Sequence, residues 1–210
     1  IDADIKGPGK AVGPYFDETP LKDSLGATLQ ELQLDGDVNA RLHLDIPLNG
    51  ELVTAKGEVT LRNNSLFIKP LDSTLKNLSG KFSFINSDLQ SEPLTASWFN
   101  QPLNVDFSTK EGAKAYQVAV NLNGNWQPAK TGVLPEAVNE ALSGSVAWDG
   151  KVGIDLPYHA GATYNIELNG DLKNVSSHLP SPLAKPAGEP LAVNVKVDGN
   201  LNSFELTGQA

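Results

Sequence analysis

The sequence predicts a mainly β protein: a long antiparallel, strongly curled meander sheet forming an open β-groove, a taco-like trough, with about two short helices. Three observations predict it. Apolar residues recur at every second position through most of the chain, the signature of a strand with one apolar and one polar face. Turn-forming residues separate these runs at short intervals, and strands joined so closely are antiparallel neighbours. The apolar strand surface also exceeds what two short helices can cover.

The elements follow in chain order. Leu21, Leu25, Leu29 and Leu32 lie on one face of a helix, and Thr19-Pro20 supplies a start signal. Val38, Ala40, Leu42, Leu44 and Ile46 then alternate with polar residues, as do Val59 with Leu61, Leu66 with Ile68, and Phe82 with Phe84. Leu94, Ala96 and Trp98 form the next run, followed by Leu103, Val105 and Phe107. A longer run carries Tyr116, Val118, Val120, Leu122 and Trp126. Leu134, Val138 and Leu142, with Pro135 near the first turn, suggest a second short helix within 131–142. The remaining runs are Val146 to Leu156, Ala162 to Leu172, and Leu191 to Val197, giving about twelve strands. Asn49-Gly50 reads as a tight hairpin, and Asn63-Asn64, Asn86-Ser87-Asp88 and Asn100-Gln101-Pro102 read as turns. The stretch 177–190 holds Pro180, Pro182, Pro186 and Pro190, so it is an irregular connection. The reading is of one continuous segment, 1–210, with a possible repeat boundary near 128–143.

An aliphatic-x-Gly echo recurs, for example at Leu78 to Gly80, Leu122 to Gly124, Leu168 to Gly170 and Leu206 to Gly208. Glycine in strands marks bends or close backbone approach, and many such points make a long sheet curl. Ordinary turn glycines in a β-rich chain would give a similar count.

Composition removes several function classes. A net charge of −9 lacks the basic footprint of a nucleic-acid binder and of a polybasic membrane anchor. No cysteine is present, so there is no disulfide framework and no thiolate metal site. No apolar run approaches the ~18 residues of a membrane-spanning helix. The sequence also lacks methionine, which reads as a mature product or an internal segment of something longer.

No catalytic constellation emerges. Ser73-Thr74-Leu75-Lys76 matches Ser-x-x-Lys and Lys130-Thr131-Gly132 matches Lys-Thr-Gly, but no Ser-Asp-Asn lies between them and no helical domain holds the first. His43, His159 and His178 lack ligand spacing, so no metal is expected. Asp35 with Asp37, and Glu167 with Asp171, read as solubility features. Two facing carboxylates on a β-fold would be the mark of a glycosidase. Sequons at Asn63, Asn77 and Asn174 matter only in a eukaryotic secretory pathway. Trp98, Trp126 and Trp148 suit either a core or a wide apolar groove.

About twelve apolar strand faces need a cover. Two sheets can mate as a sandwich, one sheet can close into a barrel, or one sheet can curl into a trough whose inside meets something other than water. Runs such as 143–157 and 161–173 exceed the ~5–6 residues of an ordinary strand and favour the curled solutions.

Several blocks resemble a known family. Leu42-His43-Leu44-Asp45-Ile46-Pro47-Leu48-Asn49-Gly50 followed by Gly57-Glu58-Val59-Thr60-Leu61 is similar to the YhdP branch of the AsmA-like proteins of Gram-negative envelopes. So are Pro20-Leu21-Lys22-Asp23-Ser24-Leu25-Gly26 and Leu78-Ser79-Gly80-Lys81-Phe82-Ser83-Phe84. Glu92-Pro93-Leu94-Thr95-Ala96 and Gln101-Pro102-Leu103 follow in order. The most specific block runs Leu179-Pro180-Ser181-Pro182-Leu183-Ala184-Lys185-Pro186-Ala187-Gly188-Glu189-Pro190-Leu191. None of these blocks is a catalytic motif.

The resemblance implies a long protein, anchored in the inner membrane by an N-terminal helix, with its bulk in the periplasm. It implies kinship with bridge-like lipid-transfer proteins, whose repeating β-groove carries phospholipid between inner and outer membrane. This chain would be an internal, non-enzymatic segment without cofactors. Its partners would be phospholipid acyl chains, and inner- and outer-membrane proteins or lipids at the ends of the full protein. A ~16-carbon chain gains roughly 12 kcal/mol by staying out of water, at ~0.8 kcal/mol per CH₂, so a continuous apolar lining is required. Shared parity within strands names the candidate lining: Leu42, Leu44, Ile46, Val59, Leu61, Phe82, Phe84, Trp98, Val105, Val118, Val120, Trp148, Ile154, Tyr164, Ile166, Val193 and Val195. A structural or adhesive β-sandwich with a dry core, and a carbohydrate-active β-fold enzyme, are the rival readings.

Overall fold

A computed structural model describes residues 1–11, 26, 30–49, 52–200 and 202–209. The expected helix over 20–32 falls almost wholly outside these residues. Gln30 and Glu31 are helical, and Leu32 already belongs to a strand.

The strands are β1 (Asp2–Pro8), β2 (Leu32–Asp35), β3 (Asp37–Asp45), β4 (Thr54–Ile68), β5 (Ser73–Ile85), β6 (Asp88–Ser91), β7 (Leu94–Trp98), β8 (Gln101–Glu111), β9 (Ala115–Trp126), β10 (Leu142–Gly144), β11 (Val146–Pro157), β12 (Thr163–Asp171), β13 (Val175–Ser177), β14 (Ala192–Asn200) and β15 (Phe204–Gln209). Thirteen of them form one antiparallel sheet whose main path is β1-β3-β4-β5-β6-β8-β9-β11-β12-β14-β15. Its terminal strands β1 and β15 do not pair with each other, so the sheet is not a closed barrel. The expected meander is the observed fold. Among the described residues, the only other sheet is the pair β10–β13, too small to mate with the first as a sandwich.

The strand count exceeds the expected twelve because long strands are interrupted opposite one another. β4 pairs with β3 along one half and with β2 along the other. β5 likewise pairs with β6 and then β7. Leu66 to Ile68 therefore continue the strand of Val59 and Leu61.

Asn63-Asn64, expected as a turn, is instead a bulge inside β4. Asn63 takes a left-handed φ of 55°, which asparagine tolerates better than most residues. Asn64 is buried, accepts the Arg62 N–H at 2.8 Å, and donates to the Asp35 and Asp37 carbonyls at 3.0 and 3.1 Å. One amide thus satisfies the backbone at the break where β2 becomes β3, as buried polar groups require. Gly36 sits in that break at φ 93°, and a Cβ there would lie 2.8 Å from Asn64. Such bulges bend strands and raise their twist, which is how 13–15-residue strands curl. The curl brings Phe82 of β5 and Phe107 of β8 to a ring separation of 5.6 Å across the intervening Ser91.

The turn expected at Asn100-Gln101-Pro102 lies one residue earlier: Phe99 and Asn100 have φ 48° and 58°, and Gln101 opens β8. The helix expected over 131–142 is shorter, α1 (Glu136–Ala141), because Leu142 is already extended at its C-terminus. The Pro-rich stretch is irregular, held by Lys185 bridging to Ser177 and by Gly188 N–H donating to the Lys173 carbonyl.

The two edges of the trough differ in construction. Strand ends at Ile85, Glu111 and Pro157 are joined by short turns. Those at Asp45 and Asn200 lie at the same rim, a hairpin rim, but their connections include residues outside the described ones, among them Gly50 of the tight hairpin expected at Asn49-Gly50. The opposite rim carries most of the longer crossings: the connection through α1 and β10 between β9 and β11, and the one through β13 between β12 and β14.

Candidate functional site

The strand register decides which side chains share a face, because directly opposed residues point the same way. Starting at β1, Ile5 opposes Ala40, which opposes Val59, which opposes Phe82. On the other side of the β6–β7 break, Phe107 opposes Val120, then Val152, Ile166, Val197 and Leu206 in succession. A parallel row runs Val105, Leu122, Gly150, Leu168 and Val195. One face of the sheet is therefore apolar from the first strand to the last.

All the candidate lining residues except Ile46 fall on this face. Leu42 and Leu44 oppose Gly57 and Ala55, Phe84 opposes Gly57 and Leu89, and Trp98 lies on the face of Leu94 and Ala96. Leu61 is in register with Val38, and Val105 with Leu94. Val118 opposes Ile154, which opposes Tyr164, while Trp148 and Val193 flank Gly170. Ile46 lies beyond the end of β3, in the connection to β4, and is exposed. Leu75, Leu78, Leu103, Val152 and Val197 belong to the same face and were missing from the list. Parity alone would have found Leu103, Val152 and Val197, whereas the bulge at Asn77 hides Leu75 and Leu78.

The opposite face is polar and self-paired. Asn104 donates to Asn123, Asn169 to Asp149, and Asn194 to Asn169, at 2.7–3.1 Å. These residues oppose one another in a single cross-strand row. Arg41 pairs with Asp4 and Lys81 with Glu58 on the same side.

Depth along the apolar face is uneven. From β3 to β8 it is packed on itself: Leu94 and Leu103 are 2% exposed, Leu61 and Leu78 4%. From β11 to β15 the same face stays half-exposed, and Phe204 and Leu206 reach 68% and 60%. Glycines floor much of the apolar face. A Cβ on Gly57 would collide with the Arg41 carbonyl oxygen, so no other residue fits there.

At the crossing rim the tryptophans gather. Trp98 stacks on Phe99 at 4.7 Å, Trp126 meets Trp98 edge-on at 6.2 Å, and Trp148 meets Trp126 at 4.7 Å. The indole N–H groups of Trp98 and Trp126 donate to Ser73 Oγ and the Pro102 carbonyl. Trp148 Nε1 is buried without a hydrogen-bond partner among the described residues.

At the hairpin rim the same face turns polar. The Tyr116 hydroxyl, fully buried, donates into the Thr109 Oγ1 and Ser87 carbonyl pair at 2.8 and 2.7 Å. Burial pushes its phenol up to about 12. Ser87 Oγ donates to Glu111, and Tyr158 reaches the Gly112 carbonyl at 3.1 Å. Burial, then the Glu111 carboxylate, raise the Tyr158 phenol as well.

The rejected motifs resolve into local roles. Ser73 receives Trp98, and Thr131 Oγ1 donates to the Pro128 carbonyl. His43 pairs with Asp2 at 2.7 Å on the polar face. Asp171 caps the turn at Lys173 and accepts the Leu191 N–H. Glu167 faces Lys196. Among the described residues no cluster of His, Asp and Glu is arranged to hold a metal ion, and no helix is long and apolar enough to cross a membrane.

Compared with known proteins, the chain matches the family described as YhdP protein over residues 1–210. No solved structure matches it. The chain belongs to the YhdP family of AsmA-like proteins.

Proposed function

From that membership and the geometry of the apolar face, we propose that the chain is a periplasmic segment of a bridge-like protein that conducts phospholipids between inner and outer membrane. The observation that supports it is the apolar face that the strands of the sheet carry from Ile5 on β1 to Leu206 on β15, backed by a polar face whose groups pair with one another. A sheet needing only structural stability would cover that face. Here it stays partly open from β11 onward, and aliphatic surface left in water costs roughly 25 cal/mol per Å². Acyl chains seated on it recover that cost. From β8 to β15 adjacent strands in continuous register give them a lining without one tight site, which suits passage rather than storage. The activity is non-enzymatic: the residues act by excluding water, and the protein is held in the envelope by parts of the family's architecture outside this segment.

A photo-crosslinker at Val120, on the apolar face, is expected to trap phospholipid, and one at the adjacent Asn121, which donates to Asp106 on the polar face, is not. Equal labelling at both positions contradicts the reading. A dry structural sheet gives no label at either and no phospholipid in mass spectra of the gently purified protein.

A further inference from the structure

The two rims of the open arc differ in chemistry, and the difference orients a lipid. This inference rests on the phospholipid reading above. The half-exposed row Phe107, Val120, Val152, Ile166, Val197, Leu206 crosses six strands. At ~4.8 Å per strand it extends about 24 Å, longer than the ~15 Å that one leaflet's acyl chains span in a ~30 Å hydrocarbon core. A whole acyl chain fits along it.

Toward the crossing rim, the face beside this row ends in the rings of Trp98, Trp126 and Trp148, with Phe99 stacked against them. The hydrogen-bonded indoles there are already satisfied within the protein, and Trp148 Nε1 is sealed from solvent. A phosphate placed there would lose water and gain no donor from the rings, although an exposed ring face attracts an ammonium.

Toward the hairpin rim, the same face carries Thr109, Glu111 and Tyr116, with Tyr158 reaching in from the β11–β12 turn. Lys110, on the polar face of β8, pairs with Asp88, and Lys114 lies in the β8–β9 turn, where its carbonyl accepts the Tyr158 N–H. That rim offers both signs of charge and open water.

We infer that a phospholipid in this trough lies with its acyl chains along the Phe107–Leu206 row and its head group along the hairpin rim, between the β8–β9 and β11–β12 turns. The crossing rim presents aromatic rings that give the phosphate no donor.

Two photoactivatable phosphatidylethanolamine probes test this on the 210-residue chain, one with the reactive group on the head group and one at the end of an acyl chain, with labelled peptides read by mass spectrometry. The expected result is acyl-probe label on β11, β12 and β14 and head-group label on 112–114 and 158–162. Head-group label at Phe99 or 127–133, or equally on both rims, overturns the orientation while leaving lipid binding standing. Absence of acyl-probe label from the whole apolar face removes the phospholipid reading itself.

Discussion

The arc from β3 to β8 and the arc from β11 to β15 carry the same alternation and the same polar outer face, yet one is shut and the other open. In the first, bulges at Asn63 and Asn77 and the breaks at Gly36 and Glu92-Pro93 fold the sheet onto its own apolar side chains. In the second, β11 and β12 pair through nine consecutive residues with no register shift, and β12 and β14 do the same. Bulge content, rather than hydrophobicity, separates a core from a groove here. The closed arc supplies the stability that lets its neighbour leave apolar surface uncovered.

Core substitutions break the comparison most strongly. Leu94→Ala in the closed arc is expected to cost about 2–5 kcal/mol, the range for a buried leucine. Ile166→Ala in the open arc should cost about 1 kcal/mol or less, because its side chain is only partly removed from water. Chemical denaturation of both variants checks this, and equal losses would mean that the arcs are equally packed. A charge sharpens the contrast. Ile166→Asp should keep a cooperative unfolding transition while abolishing acyl-chain crosslinking at Val120, whereas Leu103→Asp should lose the folded state altogether.

The next effect concerns what makes the closed arc bend. Asn64→Ala removes three hydrogen bonds and leaves two carbonyls and an N–H without their partner, an expected loss of about 2–3 kcal/mol. Asn64→Asp should not rescue it, because a carboxylate cannot donate to the Asp35 and Asp37 carbonyls.

A smaller effect is read by pH. The Tyr116 phenol titrates at about 12 in the fold and near 10 when unfolded. The folded value is raised, so its contribution is complete below pH 10 and is lost as pH climbs toward 12, by up to about 3 kcal/mol. Tyr116→Phe should be less stable at neutral pH by about 1 kcal/mol and should lack that alkaline step. Smallest of all, Arg41→Ala on the exposed polar face should leave the unfolding midpoint unchanged, since exposed ion pairs contribute little.

The alternation was legible because strands repeat every two residues, so parity alone placed Leu42, Val120, Ile166 and the rest on one face. What parity could not see was where it slips. The bulge at Asn77 puts Leu75 and Leu78 on the same face at odd spacing, and the tract Ser73–Lys76 showed only as a spurious motif. Asn63-Asn64 carries turn chemistry that a bulge shares, since both require a left-handed residue. β1 and β15 alternate too weakly to stand out: Gly7 and Gly208 sit where an aliphatic would mark the face. The gathering of Trp98, Trp126 and Trp148 was invisible, because it depends on which strand ends meet at one rim.

The measurement that bears most directly on the groove places an environment-sensitive fluorophore at Val197, on the open apolar face, and separately at the adjacent Lys196, on the polar one. Each is then titrated with phospholipid brominated in its acyl chains. Quenching at Val197 and none at Lys196 is the predicted result. No quenching at Val197, or the same quenching at both, would contradict the claim that acyl chains occupy this face.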